Sequence, residues 1–132
     1  MNAKNSIKPR FSTDGVTLNA NGNNAALAMR PLDDAAMREL GFTDHMPDHW
    51  YLCRTVSADG AVTLNVVVGK EDGAWRVDVL DEWSGQPYDY QALLGDDPGH
   101  GYANMVAGRC ERWLAVLSEA GILDGWKSGM YV

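Results

Sequence analysis

Cysteine is scarce in this chain of 132 residues: Cys53 and Cys110 are its two thiols. Small secreted domains held by disulfides carry more, at framework spacings. The pair therefore reads as reduced and at least partly buried, where cysteine behaves as a small hydrophobe. A Cys53–Cys110 bridge is the less favoured alternative. Long apolar runs are missing too, and nothing approaches the roughly 18–20 residues of a membrane span. The N-terminus carries Lys4, Lys8 and Arg10, but the longest apolar stretch after them is Ala25–Met29, too short for an export signal. These absences favour a cytoplasmic protein with no membrane partner.

Positive charge is in short supply. Lys and Arg total 11 against 18 acids, for a net charge of −7. The deficit is local. Residues 71–100 hold Glu71, Asp72, Asp78, Asp81, Glu82, Asp89, Asp96 and Asp97 against Arg76 alone, which accounts for the whole of that −7. Direct nucleic-acid binding is disfavoured, because it is driven by cations that neutralise phosphates. A basic protein or a metal ion would be attracted. For any single acid, a solubilising role is the simpler reading.

What is present suffices for one domain. A chain of this length can bury roughly two-thirds of its unfolded surface without disulfides or metals. Its 45% hydrophobic and 22% charged content is ordinary for a globular protein. Five Trp and five Tyr supply large side chains. Residues 1–10 are polar and predict a flexible tail; residues 11–132 predict a single α+β domain. Turn chemistry at Asp14-Gly15 and Asn21-Gly22 suggests a short hairpin around Val16 and Leu18.

Residues 31–41 predict a helix. Pro31 suits its first turn, Asp33 and Asp34 its N-terminal dipole, and Gly41 its stop. Leu32, Ala36, Met37 and Leu40 form its apolar stripe. Next come three β-rich runs, 50–57, 62–70 and 75–82, separated by two Asp-Gly turns, a strong hairpin signal. They predict a three-stranded antiparallel meander. Val62, Leu64, Val66 and Val68 share a face with Trp75, Val77, Val79, Trp50, Leu52 and Val56, and Arg54 is the misfit. The opposite face, with Tyr51, Cys53, Thr55, Arg76, Asp78 and Glu82, is more polar. A long C-terminal helix follows at about 100–120. Its stripe is Val106, Cys110, Trp113, Leu117 and Ala120, widened by Met105 and Leu114. Asp97-Pro98 suits its start and Gly121-Ile122 a Schellman stop. The expected architecture is the meander packed against this helix, with the additional N-terminal helix completing the α+β domain.

Motifs for chemistry are weak. His45, His49 and Cys53 recur every fourth residue, but Pro47 opposes a helix there. On a strand, His49 and Cys53 stand about 13 Å apart, too far to share one ion. Asp78 and Glu82 are separated by the same distance, beyond either known spacing of a glycosidase carboxylate pair. The Gly-rich stretch 95–102 matches neither phosphate-loop pattern, and its Asp96 and Asp97 stand where a phosphate would sit. Ser84 is in no nucleophile elbow. Neither a metal nor a cofactor is expected.

The stretch 81–90, DEWSGQPYDY, is the candidate site. Gly85 and Pro87 would end the third strand. A bend explains those two residues but not three rings and three acids. Asp81, Glu82, Trp83, Tyr88, Asp89 and Tyr90 are the expected partner surface, with ring faces and carboxylates suited to a cationic partner. The leading expectation is a non-enzymatic interaction module, a regulator or inhibitor that binds a basic protein. The competing one is a small enzyme or small-ligand binder with a pocket between the sheet and loop 83–101, where His100 is the titrating group beside Asp89 and Glu82. Homo-oligomerisation through an uncovered sheet face or an edge strand is a third reading.

Overall fold

The computed structural model describes residues 11–12 and 27–129. The proposed tail 1–10 and the hairpin around Val16 and Leu18 lie outside them. The elements in chain order are β1 (Phe11–Ser12), β2 (Ala28–Met29), α1 (Asp34–Leu40), β3 (His49–Thr55), β4 (Val62–Gly69), β5 (Trp75–Asp81), β6 (Gln86–Pro87), α2 (Tyr90–Asp96), α3 (Gly101–Ala120) and β7 (Leu123–Asp124).

Alternating side chains build the sheet. β3, β4 and β5 pair antiparallel in sequence order, so that Leu52, Val66 and Val77 form one cross-strand row and Trp50, Val68 and Trp75 another. These six are buried, and strand alternation puts them on one face. The sheet is larger than three strands. β1 and β6 both pair with the free edge of β5, making five strands in all. Two-residue strands carry too little periodicity to be seen in a sequence. A second small sheet joins β2 to β7.

α3 covers the apolar face. Val106, Cys110, Leu114 and Leu117 belong to the same buried cluster as the inward side chains of the sheet. Leu114 is central to that stripe, whereas Trp113 is only partly buried at its margin. There Trp113 meets Arg54, whose guanidinium lies 5.2 Å from its ring centroid. Arg54 shares a cross-strand row with Leu64 and Val79. It is tolerated because the cation stacks on the indole and also donates to the backbone oxygens of Cys53 and Leu40.

The helix ends differ from expectation at the N-terminal side. α1 is capped by Asp33, which accepts from Ala36 N at 2.9 Å, and Pro31 precedes the helix. α3 is capped by His100, not by Asp97: Nδ1 accepts from Ala103 N at 3.1 Å. Asp97 is instead the C-cap of α2, a helix that the apolar pattern does not announce. The C-terminal stops agree with expectation. Gly41 adopts a left-handed φ of 104°. Gly121 donates to Ser118 O and Ile122 to Leu117 O, with Ile122 buried.

The two thiols are separated by the sheet. Cys110 is buried on the helix side; Cys53 is exposed on the polar face, opposite Asn65. Both are free, and the expectation that Cys53 is partly buried is corrected. No described helix is long and apolar enough to cross a membrane.

Candidate functional site

The stretch DEWSGQPYDY folds into a β-hairpin turn followed by a helix start. Leu80 pairs with Pro87 and Asp81 with Gln86, leaving residues 82–85 as the loop. Asp81 organises this loop. Its carboxylate accepts from Trp83 N at 3.0 Å, and its carbonyl accepts from Gly85 N at 2.8 Å. Gly85 has φ 72°, a conformation that other residues enter at a cost. Ser84 Oγ closes the turn by accepting from Gln86 N.

The six predicted residues do different work. Asp89 is the N-cap of α2, accepting from Ala92 N at 3.1 Å. Tyr90 is 0% exposed and belongs to the core. As part of a partner surface it is therefore corrected: the helix that begins at Tyr90 turns its ring inward. Tyr88 is half-buried. Its ring meets Tyr102 edge-to-face, with centroids 5.7 Å apart and planes at 72°. The Tyr88 hydroxyl is buried with no hydrogen-bond partner among the described residues. Burial, then the neighbouring Tyr102 and Asp81, push its pKa up.

Glu82 is tied down at both ends. Its N–H donates to Ala61 O at 2.8 Å, and its carboxylate accepts from the Thr63 hydroxyl. That bond ends a chain across the polar face of the sheet. Tyr51 OH donates to Asn65 Oδ1, Asn65 Nδ2 donates to Thr63 Oγ1, and Thr63 donates to Glu82. Thr63 and Asn65 are buried. Burial first, then Cys53, Glu82 and Asp78, hold the Tyr51 hydroxyl well above its ordinary pKa. The sequence reading had the polar face but not this chain, because it needs the β3–β4–β5 register.

Trp83 differs from the other five. It is 86% exposed at the tip of the loop. Turn geometry accounts for Asp81 and Gly85, capping for Asp89 and core packing for Tyr90. None of these accounts for an indole in solvent. Glu82 adjoins it in the loop, and Asp59 stands at the same end of the sheet in the β3–β4 turn. Tyr102 links Asp59 to Tyr88, donating to Asp59 Oδ1 at 2.8 Å while stacking on the Tyr88 ring. Sequence reasoning missed both Asp59 and Tyr102. The Asp-Gly turn marked Asp59 as local, and its long-range partner left no trace in spacing.

The groups expected to do chemistry are dispersed. His100, the group expected beside Asp89 and Glu82, caps α3, its Nδ1 accepting from Ala103 N. His49 Nδ1 lies 2.8 Å from Asp48 Oδ1. Among the described residues, no group of three or more His, Cys, Asp or Glu is placed to hold a metal ion. A cavity of about 390 Å³ lies at the other end of the sheet, lined by Pro47, Asp48, Lys70, Glu71 and Asp72. It is remote from loop 83–101, where the competing reading needs it.

No protein-family model matches this chain, and no curated protein does. Its fold is similar to the crystal structure of a DUF1831 family protein from Lactobacillus plantarum, with a TM-score of 0.56 at 17% sequence identity. The likeness covers 77% of this chain and 88% of that one. At such identity it concerns the fold alone, a small α+β arrangement with an antiparallel sheet.

Proposed function

We propose that this chain is a non-enzymatic interaction module that holds a basic protein on its β5–β6 loop. The observation that carries the reading is Trp83, a large side chain 86% exposed that neither the turn nor the core requires. An indole face attracts an ammonium or guanidinium group, and desolvation by a partner strengthens the attraction. Asp81 and Glu82 directly precede it in the chain, with carboxylates already oriented by hydrogen bonds, so little ordering is left for binding to impose. Tyr88 and Asp89 form the margin of this surface. Tyr90 contributes from the core by anchoring α2. A regulator or inhibitor of a nucleic-acid-binding protein fits this charge pattern, since its target would present cations.

Octalysine is a suitable probe. Its binding, followed by Trp fluorescence, should be measurable at ~0.01 M salt and weaken sharply at ~0.15 M, where the Debye length falls from about 30 Å to about 8 Å. Trp83→Ala should abolish it. Absence of binding by the unaltered chain at low salt, or unchanged binding by Trp83→Ala, would overturn the proposal.

A further inference from the structure

Each hydrogen bond in the chain across the polar face has a direction set by valence. A carboxylate has no proton to offer, so the Thr63 hydroxyl must donate to Glu82 Oε2. That hydroxyl carries one proton, so it accepts where it meets Asn65, whose Nδ2 lies 2.9 Å away. Asn65 Oδ1 is then turned toward β3 and accepts from Tyr51 OH. Thr63 and Asn65 stand two residues apart on one face of β4, and both are buried. A buried donor left without an acceptor is costly, so Thr63 holds Glu82 Oε2 in place.

Glu82 is nevertheless exposed. Its Oε2 is committed to the sheet, and Oε1 is left for a partner. Asp81 is in the same condition: Oδ1 accepts from Trp83 N at 3.0 Å, which leaves Oδ2. Each carboxylate that directly precedes the exposed indole in the chain thus offers one oxygen and not two.

This difference separates the two basic side chains. An arginine guanidinium binds a carboxylate best through two parallel N–H···O bonds, one to each oxygen. A lysine ammonium is a compact point charge with rotatable donors, and one oxygen per carboxylate satisfies it. On an open carboxylate beside an indole, arginine is the favoured cation, since it forks and also stacks. Here the fork is broken on both acids.

Resting on the reading of the β5–β6 loop as a cation-binding surface, we infer that the cation it takes is a lysine ammonium and that Thr63 sets this preference. Thr63 acts through Glu82 and is a positioning residue; Asn65 and Tyr51 hold it in turn. The basic partner is accordingly a lysine-rich segment and not an arginine-rich one.

Octalysine and octaarginine, matched in length and charge, test this on the full chain at ~0.01 M salt. The parent should bind octalysine at least as tightly as octaarginine. Thr63→Val keeps the shape of the side chain and removes the hydroxyl. In it the ratio of octaarginine to octalysine affinity should rise about fivefold, the worth of one hydrogen bond. Thr63→Ala should shift the ratio the same way, and Thr63→Ser should restore the parent value. In a Glu82→Gln background Thr63→Val should leave the ratio unchanged, because the carboxylate it acts through is gone. The ratio compares two ligands on one protein, so a loss of stability alone does not move it.

Tighter binding of octaarginine by the parent overturns the lysine assignment. So does a ratio that stays the same in both Thr63→Val and Thr63→Ala. If either peptide still binds in a Trp83-dependent way, the loop stands as a binding surface without that preference. Binding of neither peptide by the parent removes the surface and this inference with it.

Discussion

The Tyr102 hydroxyl donates a 2.8 Å hydrogen bond to Asp59 Oδ1 across 43 positions of sequence, joining the first turn of α3 to the β3–β4 turn. Asp59 already accepts from Ser57 Oγ at 2.7 Å and from Ala61 N at 3.1 Å. One carboxylate therefore sets the turn and docks the helix start. These donors, Ser57 first, hold its pKa below the ordinary carboxylate value.

A pH dependence follows from that carboxylate. A carboxyl group whose folded pKa is depressed contributes stability that is present above its unfolded value, about 4, and lost as pH falls through the folded value. Urea midpoints should therefore drop between about pH 5 and pH 2, and part of the drop should disappear in Ser57→Ala/Tyr102→Phe. An identical acid slope in the two proteins would show that Asp59 contributes nothing to it.

Glycine substitutions should diverge in sign. At Gly41 the left-handed φ of 104° is strained for any other residue, and a Cβ would overlap the Arg54 guanidinium. Gly41→Ala should cost about 1–3 kcal/mol. Gly108 lies inside α3, exposed, with nothing within 4 Å of a Cβ. Gly108→Ala should stabilise by up to ~1 kcal/mol through helix propensity. Thermal melts of the two variants decide this, and a stabilising Gly41→Ala would contradict the placement of Arg54.

Trp83 and Tyr90 stand seven residues apart and should behave oppositely. Trp83→Ala should leave stability within about 0.5 kcal/mol of the parent, as exposed positions do, while removing octalysine binding. Tyr90→Ala should cost roughly 3–5 kcal/mol, because it empties a core position. Denaturant titrations of both variants test the division of roles, and a large loss for Trp83→Ala would mean that the indole packs.

The thiols should react in two classes. Cys53 is exposed and should take a thiol reagent in the native protein. Cys110 should react only on unfolding, because burial removes access and pushes its thiol pKa up. Mass spectrometry of native and urea-treated samples should show one and then two adducts. Two rapid adducts in the native protein would contradict the packing of α3.

Much of the fold could be read before any coordinates. The Asp-Gly turns and period-two runs announce β3, β4 and β5, and the 4-3-4-3 stripe from Val106 to Ala120 announces α3. Both are local, repeated signals. α2 escaped notice because Tyr90–Asp96 is two turns long and closely follows Gly85 and Pro87. β1, β6, β2 and β7 are two residues each, too short for any period. At the candidate site, composition correctly drew attention to residues 81–90. It could not tell Trp83 from Tyr90, since both are large rings beside acids.

The amino-acid sequence alone determined the small α+β character, the acidic imbalance and the central meander with its covering helix. Each follows from composition or from periodicities that span several residues. Tertiary structure decided which ring faces solvent, which acid caps a helix and which carboxylate receives Tyr102. Those outcomes depend on how distant segments close on one another, and a hydrogen bond across 43 positions has no period to betray it.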